Sequence, residues 1–131
     1  NQRSLENRVR KKKEAGARFI QTQMIMEKEN LREFCKKISN PLEIPVIAGV
    51  FLLKSYKNAL FINKYVPGAN IPDNILNRLK NAKEPLQEGI QIAAEQAQDF
   101  IKIANGIHLM AVKAEHLIPE ILEKANLNLE Y

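Results

Sequence analysis

Between Pro45 and Phe51 the chain reads Pro-Val-Ile-Ala-Gly-Val-Phe, without one polar side chain. A strand with one wet face alternates apolar and polar residues, so an unbroken run like this predicts a strand covered on both faces, as in a parallel sheet. Parallel strands cannot be joined by a tight hairpin. They need crossover connections of a dozen or more residues, normally helical. The run therefore predicts helices on both sides of it in sequence and further strands beside it in space.

The flanking sequence supplies both. Ser4 is a candidate N-cap for a helix running to about Ala15, with Gly16 as its stop. Arg18 to Ile25 suits a strand through Phe19, Ile20, Thr22 and Ile25. Leu31, Phe34, Cys35 and Ile38 recur at the spacing of one helix face, and Asn40-Pro41 ends that helix. Cys35 falls on the buried face and reads as a small core residue, not a nucleophile. After the apolar strand, Ser55 caps a helix with Ala59, Leu60 and Ile62 as apolar positions, closed by a Pro67-Gly68 turn. Pro72 suits the first position of a helix with Ile75, Leu76 and Leu79 inward. Pro85 opens a longer one carrying Ile90, Ala93, Ala94, Ala97 and Ile101, stopped at Asn105-Gly106 by a left-handed residue. Ile107 to Val112 reads as a third strand and Glu115 to Ala125 as a last helix. This alternation predicts an α/β fold with about three parallel strands and flanking helices. A closed (β/α)8 barrel takes roughly 250 residues, and this chain has 131. The expectation is a partial TIM barrel, with residues 1–131 as a single segment.

Composition narrows the function classes. No apolar stretch approaches the ~20 residues that span a bilayer, so no membrane partner is expected. The first residues, Asn-Gln-Arg-Ser, carry neither an initiator Met nor the apolar core of a signal peptide. They suggest a chain that begins inside a longer polypeptide, although processing also removes a Met. A single cysteine excludes an internal disulfide and disfavours structural zinc, in keeping with a reducing cytoplasm. The net charge of +5 is concentrated in Arg8, Arg10, Lys11, Lys12 and Lys13. That cluster is either a solvated helix face or an attractor of phosphates. An aromatic content of 6%, with no stacking platform beside the cluster, argues against nucleic acid.

No phosphate-binding glycine loop, dinucleotide fingerprint, nucleophile elbow or metal-ligand spacing occurs. His108 and His116 are too isolated to form a ligand pair, and His108, inside an apolar strand, is expected to be buried and hydrogen-bonded. In barrels, binding groups gather where strands end and loops begin. That rule selects Gln23 to Met26, Phe51 to Ser55 and Ala111 to Ala114. The Gln23 amide carries both donor and acceptor and matches the edge of a pterin or purine ring. Equally, it suits a strand end facing water.

Residues 11–23 (Lys-Lys-Lys-Glu-Ala-Gly-Ala-Arg-Phe-Ile-Gln-Thr-Gln), Pro45 to Val50, Lys54-Ser55, residues 66–72 (Val-Pro-Gly-Ala-Asn-Ile-Pro) and Gly106 to Met110 are five blocks that together resemble the methylenetetrahydrofolate reductase family. They occur in family order, and the resemblance extends over nearly the whole chain. The resemblance implies the C-terminal half of a (β/α)8 barrel. It also implies FAD as cofactor and NAD(P)H as electron donor, with 5,10-methylenetetrahydrofolate reduced to 5-methyltetrahydrofolate. By the same resemblance Gln23 matches a glutamine that holds the folate ring. Asn58 matches a folate-contacting position often filled by glutamine, and Arg8, Lys11 and Lys12 match positions on a helix that touches FAD.

The chain also departs from the pattern. Leu5 stands where an FAD-contacting aspartate is common, and Ile62 where some members place a phenylalanine. Ala111-Val-Lys-Ala114 replaces a Thr-Leu-Asn-Arg stretch whose arginine reaches substrate. The acidic residue that activates folate lies in the early strands of the family's barrel, outside this chain. The segment alone is therefore expected to be inactive, with no catalytic residue of its own. Competing readings are a subunit or binding module that completes a barrel across exposed strand edges, and another pterin-dependent methyl-transfer barrel.

Overall fold

The apolar run becomes the middle strand of a three-stranded sheet. The computed structural model describes residues 2–66 and 69–127, and the expected Pro67-Gly68 turn lies outside them. In chain order the elements are α1 (Gln2–Glu14), β1 (Ile20–Met24), α2 (Lys28–Phe34) continued by a wider π turn (Cys35–Ser39), β2 (Val46–Phe51) and α3 (Tyr56–Tyr65). There follow α4 (Asp73–Asn81), α5 (Pro85–Phe100), β3 (Gly106–Met110), a 3-10 turn (Glu115–Leu117) and α6 (Ile118–Lys124). The strands lie in the order β1-β2-β3, and both pairings are parallel. The fold is thus α/β, and three parallel strands flanked by helices accord with part of a (β/α)8 barrel.

Val46, Ala48, Val50 and Leu52 occupy one face of β2 and its extension, and all are buried. They pack with Leu31 and Cys35 from the α2 region, Ile90, Ala93, Ala94, Ala97 and Phe100 of α5, and Ile121 of α6. Ile107 and Leu109, the register partners of Ala48 and Val50, join the same core. The alternate residues Ile47, Gly49 and Phe51 turn to the opposite face. A second core lies past the strand ends. There Leu53, Ala59, Ile62, Ile75, Leu79 and Ile92 bring α3 and α4 against α5, with Met24 and Phe51 packed on them. A third, of Val9, Ile38 and Ile44, holds α1.

Local signals explain most boundaries. Ser55 Oγ accepts from Asn58 N at 3.0 Å, the capping bond expected of it. Pro85 sits in the first turn of α5, where its missing N–H is harmless. Gly16, with φ +104°, stops α1, and Ala17 N bonds back to Lys12 O at 2.9 Å.

Several expectations need correction. Ser4 is not a cap: α1 begins at Gln2, because Gln2 and Arg3 are good helix formers and extend the first turn. The first strand is shorter than 18–25, and Phe19 is exposed. Pro72 precedes α4 and is not its first residue. Leu60 and Ile101 point to solvent, so apolar identity alone overstated the buried stripes. Asn105-Gly106 is not a left-handed stop, since neither residue has a positive φ. α5 ends at Phe100, and Asn105 Oδ1 instead accepts from Val46 N at 2.9 Å, tying the start of β3 to the start of β2. β3 ends at Met110, before Val112. His108 is exposed, since it lies on the face opposite the helices, beside a strand edge with no partner among the described residues.

Candidate functional site at the strand ends

The three strands run in one direction, so β1, β2 and β3 finish at the same end of the sheet. Gln23 is the penultimate residue of β1 and is exposed. Its backbone is held closely. The register slips between Gln21 and Met24, and Thr22 fills the gap: its Oγ accepts from Gly49 N at 2.9 Å and donates to Gln23 O at 2.8 Å. Gly49 makes this approach possible. A Cβ there would stand 2.8 Å from both Gln23 O and Met110 Cε.

Beyond β2, Lys54 and Asn58 form a small locked turn. Asn58 Oδ1 accepts from Lys54 N at 3.2 Å, so the acceptor end of this amide is committed to the loop. The Lys54 ammonium donates to Val112 O and joins the loops that follow β2 and β3. Lys113, just beyond, is exposed and in the left-handed region with φ +58°.

The basic residues of α1 divide between two hollows. Arg8 and Lys12 line a cleft of about 350 Å³ between α1, β1 and α2, whose apolar wall includes Val9, Ile20, Ile25 and Phe34. Lys11 lines a different hollow, with Arg3, Asn7 and Arg8. Arg8, Lys11 and Lys12 make no ion pair among the described residues, whereas Arg10 is paired with Glu6 at 2.9 Å and Lys13 bonds to Leu42 O. Two free cations over an apolar wall suit a ligand that is both aromatic and anionic. Gln23 and Asn58 therefore share the strand-end region, and Arg8 and Lys12 share a cleft beside β1. The cleft reaches Gln21 and Thr22, not Gln23.

Thr22 and Lys54 position this region, and their roles were not read from the sequence. A β-branched polar residue next to Gln23 was the available signal for the first. A bulge, which makes Thr22 a bridging group, has no mark in a single sequence.

A charged network braces the helices behind the site. Arg78 of α4 meets Glu95 through two bonds of 2.9 Å and Glu88 through bonds of 3.1 and 2.8 Å. Glu88 and Glu95 are seven apart on α5 and so lie on one face. The hydrogen bonds from Arg78 hold the Glu95 carboxyl below its ordinary range, against the opposing effect of partial burial. A carboxylate whose folded pKa is depressed adds stability above the unfolded value, about 4.3 for Glu, and loses it as pH falls through the lower folded value. Stability is expected to decline with acid over that interval. In Glu95→Gln the decline should be shallower, as followed by the thermal midpoint between about pH 5 and pH 3.

A parallel α/β sheet with polar groups gathered at its strand ends accords with part of a (β/α)8 barrel architecture. The family model for methylenetetrahydrofolate reductase matches residues 2–126, and the chain belongs to that family. It is also 31% identical over 130 residues to "Methylenetetrahydrofolate reductase 2" of Schizosaccharomyces pombe, the match covering 88% of this chain. The chain spans about a fifth, 20%, of that relative's length. No helix among the described residues is long and apolar enough to cross a membrane.

Proposed function

We propose that this chain supplies the later strands of a flavin- and folate-binding barrel that reduces 5,10-methylenetetrahydrofolate to 5-methyltetrahydrofolate. The observation that carries the proposal is the junction at Gly49, where a missing side chain and the Thr22 hydroxyl fix the Gln23 backbone at a strand end. A glutamine so placed offers an amide to the paired donor and acceptor edge of a pterin ring. Asn58 is a second polar contact across the strand ends.

The residues present fit a share of the FAD site. Arg8 and Lys12 would hold its negative charge, the apolar wall of their cleft would cover an aromatic portion, and Lys11 would add to the field. FAD, when bound, supplies the hydride for the folate methylene carbon, with NAD(P)H as the proposed source. The chain's own part is to bind and orient. The activating acid lies elsewhere in the family's barrel, so the segment alone is expected not to turn over. The lone buried Cys35 accords with a reducing, cytoplasmic setting.

A second reading is supported by the sheet itself. β1 and β3 each have one edge with no partner strand among the described residues. Such edges recruit further strands, from the remainder of a barrel or from another chain.

Replacing Gln23 tests the first reading. In the full-length protein Gln23→Ala is expected to lower kcat/KM for methylenetetrahydrofolate by about 10- to 100-fold, the worth of hydrogen bonds to one polar ring edge. Flavin content should be unchanged. Unaltered steady-state kinetics would remove Gln23 from the folate site.

A further inference from the structure

Behind the β1–α2 connection lies another cavity, of about 380 Å³, bounded also by the first turns of α4 and the C-terminal half of α5. It is distinct from the cleft of Arg8 and Lys12, and its charge is opposite. Four carboxylates line it, from Glu27, Glu29, Glu95 and Asp99, against the cations of Lys28 and Arg78. Arg78 is already spent on Glu88 and Glu95, and Glu29 is paired with Arg32 at 2.6 Å. Glu27 and Asp99 have no ion-pair partner among the described residues.

A second observation points to a ligand. Gln96 lines the same cavity and is only 7% exposed. Its Nε2 is 3.5 Å from Met26 Sδ, while its Oε1 has no hydrogen-bond partner among the described residues. A buried carbonyl left unmet is costly, and native proteins rarely keep one without a bound donor. The donor required is an N–H or O–H group, and the surrounding carboxylates favour a cationic N–H. Among the described residues no cluster of three His, Cys, Asp or Glu side chains could hold a metal ion. Ile75, Ile92 and Phe100 add an apolar wall suited to methylene groups.

We propose that this cavity binds a small aliphatic diamine, with one ammonium shared by Gln96 Oε1 and the Asp99 carboxylate, the methylenes against Ile92 and Phe100, and the second ammonium on Glu27. None of these residues belongs to the folate or flavin reading, so the two stand or fall separately.

Isothermal titration of the full-length protein with 1,4-diaminobutane tests it. The expected result is one saturable site, weakened about tenfold or more by Asp99→Asn, the effect of about 1.4 kcal/mol from one lost charged contact. Gln96→Leu keeps the volume but removes the unmet carbonyl. It is expected to abolish the heat of binding while leaving the unliganded melting temperature equal or higher. Both variants should retain methylenetetrahydrofolate turnover if the parent has it, and a parent without turnover leaves the titration readable. No saturable heat up to about 10 mM diamine, or an affinity unchanged in both variants, overturns the site.

Discussion

Replacing Phe100 by alanine is expected to cost about 3–5 kcal/mol, the range for a buried aromatic truncated in a packed core. Phe100 is 1% exposed and closes α5 within the main core, where it meets residues from β2, α2 and α6. The turn after α5 hangs on its carbonyl, which accepts from Ala104 N at 2.8 Å and Ile103 N at 3.0 Å. This turn leads directly into β3, so a cavity beneath it loosens the strand as well as the helix. Whole-domain stabilities are about 5–15 kcal/mol, so the variant should unfold at a much lower urea concentration or fail to accumulate. Phe100→Leu, which keeps most of the volume, should cost less than about 1.5 kcal/mol. Urea unfolding followed by circular dichroism separates these outcomes. A Phe100→Ala midpoint within error of the parent would show that this core is not the one that holds the sheet.

Gly89→Ala should destabilise by about 3 kcal/mol or more, at the upper end of overpacking effects. Helix propensity alone predicts the opposite sign, since alanine is favoured over glycine by about 1 kcal/mol inside a helix. Contact geometry decides the matter. A Cβ at Gly89 would lie 1.7 Å from Leu53 O, and a backbone carbonyl cannot rotate out of the way. α5 would have to move off the end of β2. Leu53 is followed by Lys54 and Ser55, whose bonds to Asn58 and Val112 shape the strand-end loop. The same substitution should therefore damage ligand binding beyond its effect on stability. A melting temperature at or above that of the parent would show that propensity outweighs the contact.

These two positions also mark what could and could not be read in the sequence. Helical periodicity places both Phe100 and Ile101 beside the Ala93, Ala94 and Ala97 stripe; Ile101 was the expected buried residue, but it is exposed and Phe100 is the one inside. Gly89 carries no such signal, because the close approach it permits involves a residue 36 positions away, at Leu53. The order of strands and helices was legible because β2 is wholly apolar, β3 nearly so, β1 alternates apolar and polar residues, and the crossovers are amphipathic. Element ends were less so. Asn105-Gly106 has the composition of a helix stop, yet the Asn105 side chain finds a better partner in Val46 N across 59 residues. His108 was expected inside because its neighbours are apolar, but a strand has two faces and only one is covered by helices. At the site, Gln23 was selectable as a polar residue at a strand end. The Thr22 bridge and the division of Lys12 from Lys11, with Arg8 reaching both hollows, depend on register and helix rotation, which composition does not specify.

The central claim is that these strand ends complete a flavin- and folate-binding barrel, and one comparison tests it most directly. Methylenetetrahydrofolate turnover and flavin absorbance are measured for the full-length protein and for the 131-residue chain alone. The account predicts a yellow, active full-length protein and an inactive isolated chain. A colourless full-length protein with no turnover, or turnover by the isolated chain, would contradict it.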